Sequence, residues 1–237
     1  MNAHPDDLSI TIAEQTRAVA AAMGDPESKP ALRGQSHKYA ALLCFIGSAW
    51  VLYHAQPGII WLAGFMSLGC MTALFAVSGA YHTMNWHPEI RVWIRRLDHT
   101  MIFVAIAGIY TPYGLLVLES PLSKSLISIF WVAAICGGFF KLVWVTAPRL
   151  LSVALYVGMS WSGMLIYGEL LSTIGPGPTH AMLSTGIILS IGAIFYALAW
   201  PGRRARYFGY HEIFHLTVIV HLVVHFWVVS HHALKVI

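Results

Sequence analysis

The chain has 237 residues, of which 57% are hydrophobic and 10% are charged, and its mean hydropathy is +0.67. Soluble domains carry about 25% charged residues, so this composition excludes an ordinary soluble protein and indicates an integral membrane protein. The formal net charge of +4 is too small to indicate binding to nucleic acid, and no such partner is expected.

Residues 1–37 are polar and form a separate N-terminal segment. They lack the basic start and the continuous apolar stretch of a signal peptide. Asp7 is placed to cap an amphipathic helix from about Leu8 to Met23, and the alternative is a surface or partly disordered segment. The stretch from Gly24 to Gly34 contains two prolines and predicts a loop leading into a membrane domain over residues 38–237.

Seven apolar windows are long enough to cross a bilayer as helices, which takes about 20 residues each. Open sheet edges cannot be satisfied in lipid, and no ten-residue alternation indicates a barrel. The sequence therefore predicts an all-α membrane protein, a seven-transmembrane helix bundle. The predicted spans are 38–55, 59–84, 96–118, 122–145, 149–171, 180–200 and 208–231.

The positions of the lysines and arginines predict the orientation of this bundle. With the N-terminus inside, twelve of the 14 Lys and Arg residues lie on the cytoplasmic side, and only Lys124 and Lys235 lie outside. Cytoplasmic loops carry an excess of these residues. We therefore predict a cytoplasmic N-terminus, an odd number of spans and a C-terminus on the outer side.

Four histidines lie in the last span, at positions 211, 215, 221 and 225. Histidine is costly inside a membrane, so this repetition predicts a functional site. His211 and His215 are four residues apart, which puts both imidazoles on one helix face about 6 Å apart along the axis. His221 and His225 repeat the spacing at greater depth. They are interpreted as buried hydrogen-bonding or cavity-lining residues, with a second metal or a proton path as the alternative.

The predicted topology brings further polar residues to the depth of His211 and His215. His82 closes the second span at the cytoplasmic side, and Asp98 opens the third span from the same side. Three neutral imidazoles and a water form the open tetrahedral site that is typical of catalytic zinc. Asp98 suits the role of general base or water holder, and Ser78 lies one turn before His82 on the same face.

Each of these residues also has a simpler interpretation when taken alone. A single histidine at a helix end is more often an interfacial or hydrogen-bonded residue than a metal ligand. Asp98 follows Arg95 and Arg96, and a carboxylate there also fits a helix N-terminal charge favoured by the helix dipole. The convergence of four groups at one depth is what favours the zinc site.

The chain resembles the progestin and adipoQ receptor family, in particular its bacterial hemolysin III branch. The resemblance covers about residues 38–232, and residues 1–37 match no part of the family pattern. The motifs that carry it are Ser78-Gly-Ala-Tyr-His82, Leu97-Asp98-His99, Gly108-Ile-Tyr-Thr-Pro112 and His211-Glu-Ile-Phe-His215.

The resemblance implies a seven-helix bundle with its N-terminus inside and a zinc ion near the cytoplasmic face. It implies that His82, His211 and His215 are the zinc ligands, that Asp98 holds the zinc-bound water, and that Ser78 supports it. Eukaryotic relatives act as receptors for which ceramidase-like hydrolysis is proposed, and bacterial members are linked to haemolysis and to membrane-lipid homeostasis. The expected location is the bacterial inner membrane.

Three functions follow as hypotheses. The first is a zinc-dependent hydrolase of lipid amide or ester bonds, with Asp98 and Ser78 as catalytic residues. The second is a receptor or membrane-fluidity regulator in which zinc is structural. The third is a pore-forming haemolysin or a metal transporter that uses His221 and His225 as a deeper path. The expected partner is a membrane lipid, as substrate or as ligand, and formation of a homo-oligomer is left open.

Overall fold

The computed structural model describes Glu14, residues 30–201 and residues 207–236. The predicted amphipathic helix from Leu8 to Met23 lies, apart from Glu14, outside the described residues. Within the described residues the chain contains helices and short connections, and no strand.

The helices form seven rods across the described residues. Two of the rods end in a π-helical turn, and the fifth is interrupted by a 3₁₀ turn, so that it contains both α5 and α6. The helices are α1 (Gln35–His54), α2 (Ile59–Thr83), α3 (Pro88–Pro112, continued by the π turn Tyr113–Val117), α4 (Pro121–Val143), α5 (Arg149–Trp161), the 3₁₀ turn Ser162–Ile166, α6 (Tyr167–Ile174), α7 (Pro176–Leu198) and α8 (Tyr210–Val228, continued by the π turn Val229–Ala233).

Six of these rods have the length and composition of membrane spans. The α1 helix is the exception, because His37, Lys38 and His54 near its ends lower its hydropathy. The all-α membrane architecture is thus confirmed, with six candidate spans in the described residues. The seventh span and the orientation of the termini stay predictions. The six candidate spans are Ile59–Thr83, Pro88–Val117, Lys124–Val143, Arg149–Ile174, Pro176–Leu198 and Tyr210–Ala233.

The distribution of side chains is the reverse of that in a soluble protein. Leu43 and Ile135 are 70% and 68% exposed, whereas the charged side chains of Arg96 and Lys141 are fully buried. A continuous apolar exterior would drive association in water, but it costs nothing against hydrocarbon. The surface of the bundle therefore suits a lipid environment.

Two helices begin four or more residues earlier than the sequence predicted. The α3 helix begins at Pro88 rather than at 96, and α7 begins at Pro176 rather than at 180. Proline is tolerated in the first helical turn because the N–H groups there have no intrahelical partner, although the same residue signals a loop in a sequence pattern. The connection between α6 and α7 is consequently Gly175 alone, whose φ of 84° favours glycine.

Rods that follow one another in the chain are mostly neighbours in the bundle. The rod that contains α3 is the most deeply buried of the candidate spans. The helices α1 to α4 each pack against the next, α7 packs against α8, and α8 also contacts α1 and closes the ring. With short connections, α1, α3, α5 and α8 begin at one end of the bundle, where α2, α4 and α7 end. We call this end the histidine end.

His225 lies in the packed interior, away from the histidine end. Its Nε2 atom is 3.0 Å from the Ser67 hydroxyl, and its Nδ1 atom is 3.1 Å from the Tyr113 hydroxyl. A neutral imidazole has one donor and one acceptor nitrogen, and hydroxyl groups can satisfy both. The sequence interpretation of His225 as a buried hydrogen-bonding residue agrees with this arrangement.

Replacing Tyr113 by Phe should destabilise the bundle. The substitution leaves one buried nitrogen of His225 without a partner, which costs about 1–3 kcal/mol. We expect a lower melting temperature for the detergent-solubilised Tyr113→Phe variant. The matched control is Tyr53→Phe, at a tyrosine that is 86% exposed, and equal melting of the two variants would contradict the assignment.

Candidate metal centre

Three histidines from two helices meet at the histidine end. His82 lies in the last turn of α2, and His211 and His215 lie in the first two turns of α8. One ring nitrogen from each lies within 4.8 Å of the others, and the three residues together could hold a metal ion. The structure therefore brings together the three imidazoles that the topology predicted to converge.

The separation of the ring nitrogens fits a tetrahedral ion. The Nε2 atoms of His82 and His211 are 3.2 Å apart. Two ligands at the usual zinc–nitrogen distance of about 2.0–2.1 Å in tetrahedral geometry lie roughly 3.3 Å apart. Two such nitrogens can also share one proton, whereas a common cation would use all three imidazoles at once. The Nδ1 atom of His215 is buried and has no hydrogen-bond partner in the described structure, so protein hydrogen bonds leave that nitrogen available.

Asp98 stands beside the three histidines and not among them. Its Oδ2 atom is 4.0 Å from Nε2 of His82, which is longer than a hydrogen bond. Asp98 is 8% exposed, and it follows Arg95 by three residues, which is less than one helical turn. A carboxylate at this distance can orient a water or accept a proton without occupying a ligand position.

Ser78 has a partner that the sequence motifs do not predict. Its hydroxyl is 2.9 Å from Nδ1 of His37, near the start of α1. The His37 ring stacks on the His215 ring, with centroids 3.7 Å apart and an angle of 7° between the planes. His37 therefore holds Ser78 and His215 in place. The available signal was a histidine at the cytoplasmic start of the first predicted span, at the same end as His82 and His211.

The residues that precede α1 close over the histidines, and we call residues 30–34 the strap. Arg33 donates a hydrogen bond and forms an ion pair with the buried carboxylate of Glu212, the residue next to His211. The other oxygen of Glu212 accepts a hydrogen bond of 2.8 Å from the backbone N–H of Gly209. One carboxylate thus both caps α8 and fixes the strap.

Gly34 brings the strap against His82. Its φ is 75°, a conformation that favours glycine, and a Cβ at this position would lie 2.3 Å from Cβ of His82. The contact leaves no space for a side chain. The backbone of the strap is therefore one wall of the histidine site.

A cavity of about 260 Å³ opens from the site into the bundle. Asp98, His211 and His215 form part of its wall, and the lining along α7 runs from Thr179 to Tyr196, about 25 Å of helix. One leaflet of acyl chain spans about 15 Å, so the cavity has the length for such a chain. Much of the lining away from the histidine end is apolar, as shown by Ile102, Ile106, Ile109, Leu183 and Val218.

The two deeper histidines of α8 stand apart from the site. His221 lines the cavity, and its Nδ1 atom is 3.2 Å from the Thr185 hydroxyl. His225 is enclosed by Ser67 and Tyr113, as described above. Neither belongs to the group of three histidines that could hold a metal ion.

Substituting Gly34 by Ala should weaken metal retention. The new methyl group pushes the strap or His82 out of position, and disturbing the groups that support metal ligands typically costs about 10–100-fold in affinity. We expect faster loss of bound metal to a chelator, measured by metal content over time.

The matched control for this variant is Gly58→Ala. Gly58 also has a positive φ, of 94°, but no atom lies within 4 Å of its added Cβ. Both variants carry the backbone strain, and only Gly34→Ala touches the site. Equal rates of metal loss from the two variants would refute the role of the strap.

The sequence of the chain matches a known protein family and several known proteins. A family profile described as "Haemolysin-III related" matches residues 27–226, a range that contains all three histidines. The chain is 32% identical to Hemolysin-3 of Bacillus cereus over 149 residues, which is 63% of this chain and 65% of that protein. It is 30% identical to a Hemolysin-3 homolog of Bacillus subtilis (strain 168) over 148 residues, which is 62% of this chain and 69% of that protein.

Similarity extends to animal proteins. The chain is 26% identical to progestin and adipoQ receptor-like protein 1 of Caenorhabditis elegans over 216 residues, 82% of this chain and 50% of that protein. The matched region thus spans 65% of the Bacillus cereus relative and half of the nematode relative. The resemblance predicted from the motifs is confirmed, because the chain is similar both to bacterial Hemolysin-3 proteins and to a progestin and adipoQ receptor-like protein. The chain belongs to the haemolysin III-related family.

Proposed function

We propose that this chain is a zinc-dependent membrane hydrolase of lipid amide or ester bonds. The observation that carries the proposal is that a largely apolar cavity is lined by His211 and His215, two of the three histidines that could hold a metal ion, and by the buried carboxylate of Asp98. The three histidines could bind a metal ion, and the cavity could hold an acyl chain. This combination suits a lipid whose carbonyl group lies at the histidine end.

Zinc is the metal that this set of ligands favours. Neutral imidazoles suit zinc, and three protein ligands with an open position are typical of its catalytic sites. When bound, zinc supplies Lewis-acid chemistry, polarising a carbonyl and activating a water at neutral pH. His82, His211 and His215 would hold it.

The side chains around the three histidines orient the water, accept its proton, position the ligands and bind the acyl chain. Asp98 orients the attacking water and accepts its proton, from a position beside His82. Ser78 and His37 hold the His215 side of the site through the hydrogen bond and the ring stacking. The apolar cavity wall binds the acyl chain and excludes bulk water from the reacting bond.

The proposal includes a location and an orientation. Counting α1 as the seventh span puts the histidine end in the cytoplasm, because Lys38, Arg91, Arg95, Lys141 and Arg149 lie at that end while Lys124 and Lys235 lie at the other. The proposed membrane is the bacterial inner (plasma) membrane; the family match agrees with a membrane location, and two of the relatives are bacterial.

Purified protein should contain about one zinc per chain, and removal of ligand imidazoles should abolish binding. We expect His211→Ala to lose zinc by elemental analysis, because two imidazoles alone hold zinc weakly. His221→Ala is the matched control on the same helix and should keep its zinc. Full zinc occupancy in the combined alanine variant at 82, 211 and 215 would refute the site.

Replacement of Asp98 by Asn tests the chemistry separately from metal binding. The amide cannot accept the proton, so we expect turnover to fall at least about 100-fold while zinc content stays unchanged. The measurement is lipid product analysis by mass spectrometry, with the wild-type protein alongside. Undiminished turnover in this variant would exclude Asp98 as the base.

A second candidate is a receptor or membrane-fluidity regulator with structural zinc. The names of two animal relatives favour it, one being an adiponectin receptor protein of Drosophila melanogaster, 26% identical over 209 residues. For this function Asp98→Asn keeps both its zinc and its activity in cells, whereas the hydrolase loses activity.

A third candidate is a pore-forming haemolysin or a metal transporter, and the name of the Hemolysin-3 relatives agrees with haemolytic activity. It finds less support within the described residues. His225, its proposed path residue, is buried and hydrogen-bonded on both nitrogens. Ion flux into proteoliposomes that depends on His225 and not on Asp98 would favour this candidate over the hydrolase.

A further inference from the structure

A second polar group shares the cavity with the histidine site. Arg95 and His99 on α3, Lys141 on α4 and Ser152 on α5 all line the cavity at the histidine end. The Lys141 ammonium donates a hydrogen bond to the Ser152 hydroxyl. None of these residues is used by the proposed hydrolysis.

Lys141 is buried instead of reaching toward the membrane surface. It is 1% exposed, although a lysine near the end of a span ordinarily extends its ammonium group into water. The neutral Ser152 hydroxyl is its hydrogen-bonding partner, and Ser152 is itself 7% exposed. Positive charge is thus held inside the bundle, facing the cavity.

The described residues include no ion pair that involves this positive charge. Their ion pairs join Arg33 to Glu212 and His82 to Asp98, and neither includes Arg95 or Lys141. Arg95 lies close enough to Lys141 and His99 for its charge to act on both, and it also acts on the carboxylate of Asp98, which is too far away to form an ion pair with it. Burying unpaired charge is strongly unfavourable, so an anion that enters the cavity is stabilised there.

The third cavity cation, Arg149, is engaged elsewhere. Its guanidinium donates to the backbone oxygen of Tyr196 at 3.3 Å and stacks on the rings of Tyr196 and Tyr210. His99 adds a further unused group, because its Nδ1 atom is buried without a hydrogen-bond partner. The groups available to a ligand are therefore Arg95, Lys141 and His99.

We propose that Arg95, Lys141 and His99 bind the phosphate of an acidic lipid whose acyl chain lies in the apolar cavity. A phosphate offers several acceptor oxygens to the donors of Arg and Lys, and such charge-assisted hydrogen bonds are strong. The inference rests on the proposed function in one respect, which is that the carbonyl of the bond to be cleaved lies beside the three histidines. It makes the substrate a phosphate-bearing lipid in preference to a neutral one.

The test compares two lipids with identical brominated chains, phosphatidic acid and diacylglycerol. Each is added to the purified, zinc-loaded full-length protein in uncharged detergent, and quenching of tryptophan fluorescence reports binding, since Trp161 lines the cavity. We expect the wild-type protein to bind phosphatidic acid at least about tenfold more tightly, the ratio that one charge-assisted hydrogen bond supplies.

The variants identify the group responsible. Lys141→Gln and Arg95→Gln should each lose most of the preference, and Lys141→Arg should keep it because the charge remains. Lys124→Gln is the matched control, at an exposed lysine on the same helix, and should behave like the wild type. A preference that survives in both glutamine variants, or that is absent from the wild type, overturns the proposal.

Two further measurements distinguish the lipid phosphate site from the proposed hydrolysis and from a site for free phosphate. Asp98→Asn should keep the preference for phosphatidic acid while losing hydrolysis. Lipid binding therefore tests the phosphate site, and turnover tests the hydrolase, independently of each other. A wild-type protein that shows the preference and hydrolyses no lipid supports the phosphate site and refutes the enzyme. Inorganic phosphate should not displace the lipid at equal concentration; displacement would assign the site to free phosphate and overturn the lipid.

Discussion

The constraint on which this structure depends is that hydrocarbon offers no hydrogen-bond partner to a buried polar group. Among the described residues the bundle nevertheless buries several histidines, the two carboxylates of Asp98 and Glu212, and the cations Arg96 and Lys141. Each must find a partner within the protein or in a ligand, and the partners come from different helices. The Ser67–His225–Tyr113 contacts join α2, α3 and α8, and the Arg33–Glu212 pair joins the strap to α8. The polar groups therefore help to determine how the rods assemble, together with the close packing of small residues such as Gly108 against Cys70.

Much of the architecture could be predicted from hydropathy and from the distribution of charge. The alternation of spans indicates which residues share an end of the bundle, and that reasoning alone brought His82, Asp98 and His211 together from distant parts of the chain. It failed where proline stands in a first helical turn. Pro88 and Pro176 signal loops in a sequence pattern, although they begin α3 and α7 in the structure.

The parts that could not be predicted depend on the packing of individual side chains. His37 is invisible to a search for spacing motifs, because its contacts with Ser78 and His215 cross between helices. The cavity is another such feature. It lies beside the rod formed by α5 and α6, where the 3₁₀ turn Ser162–Ile166 brings Gly163 so close to Tyr110 that an added Cβ would lie 2.0 Å from the phenol oxygen. No pattern of hydropathy encodes that approach.

The strap has a consequence for how the chain can vary in length. Arg33 is tied to Glu212, Gly34 touches His82, and His37 stacks on His215, so three contacts fall within five consecutive residues. One residue inserted between Arg33 and His37 would turn one set of contacts by about 100° relative to the other. We therefore expect insertions and deletions to be tolerated before Arg33 and not between Arg33 and His37. The junction between the N-terminal segment and the bundle is held in register as strictly as the helix that carries the histidines.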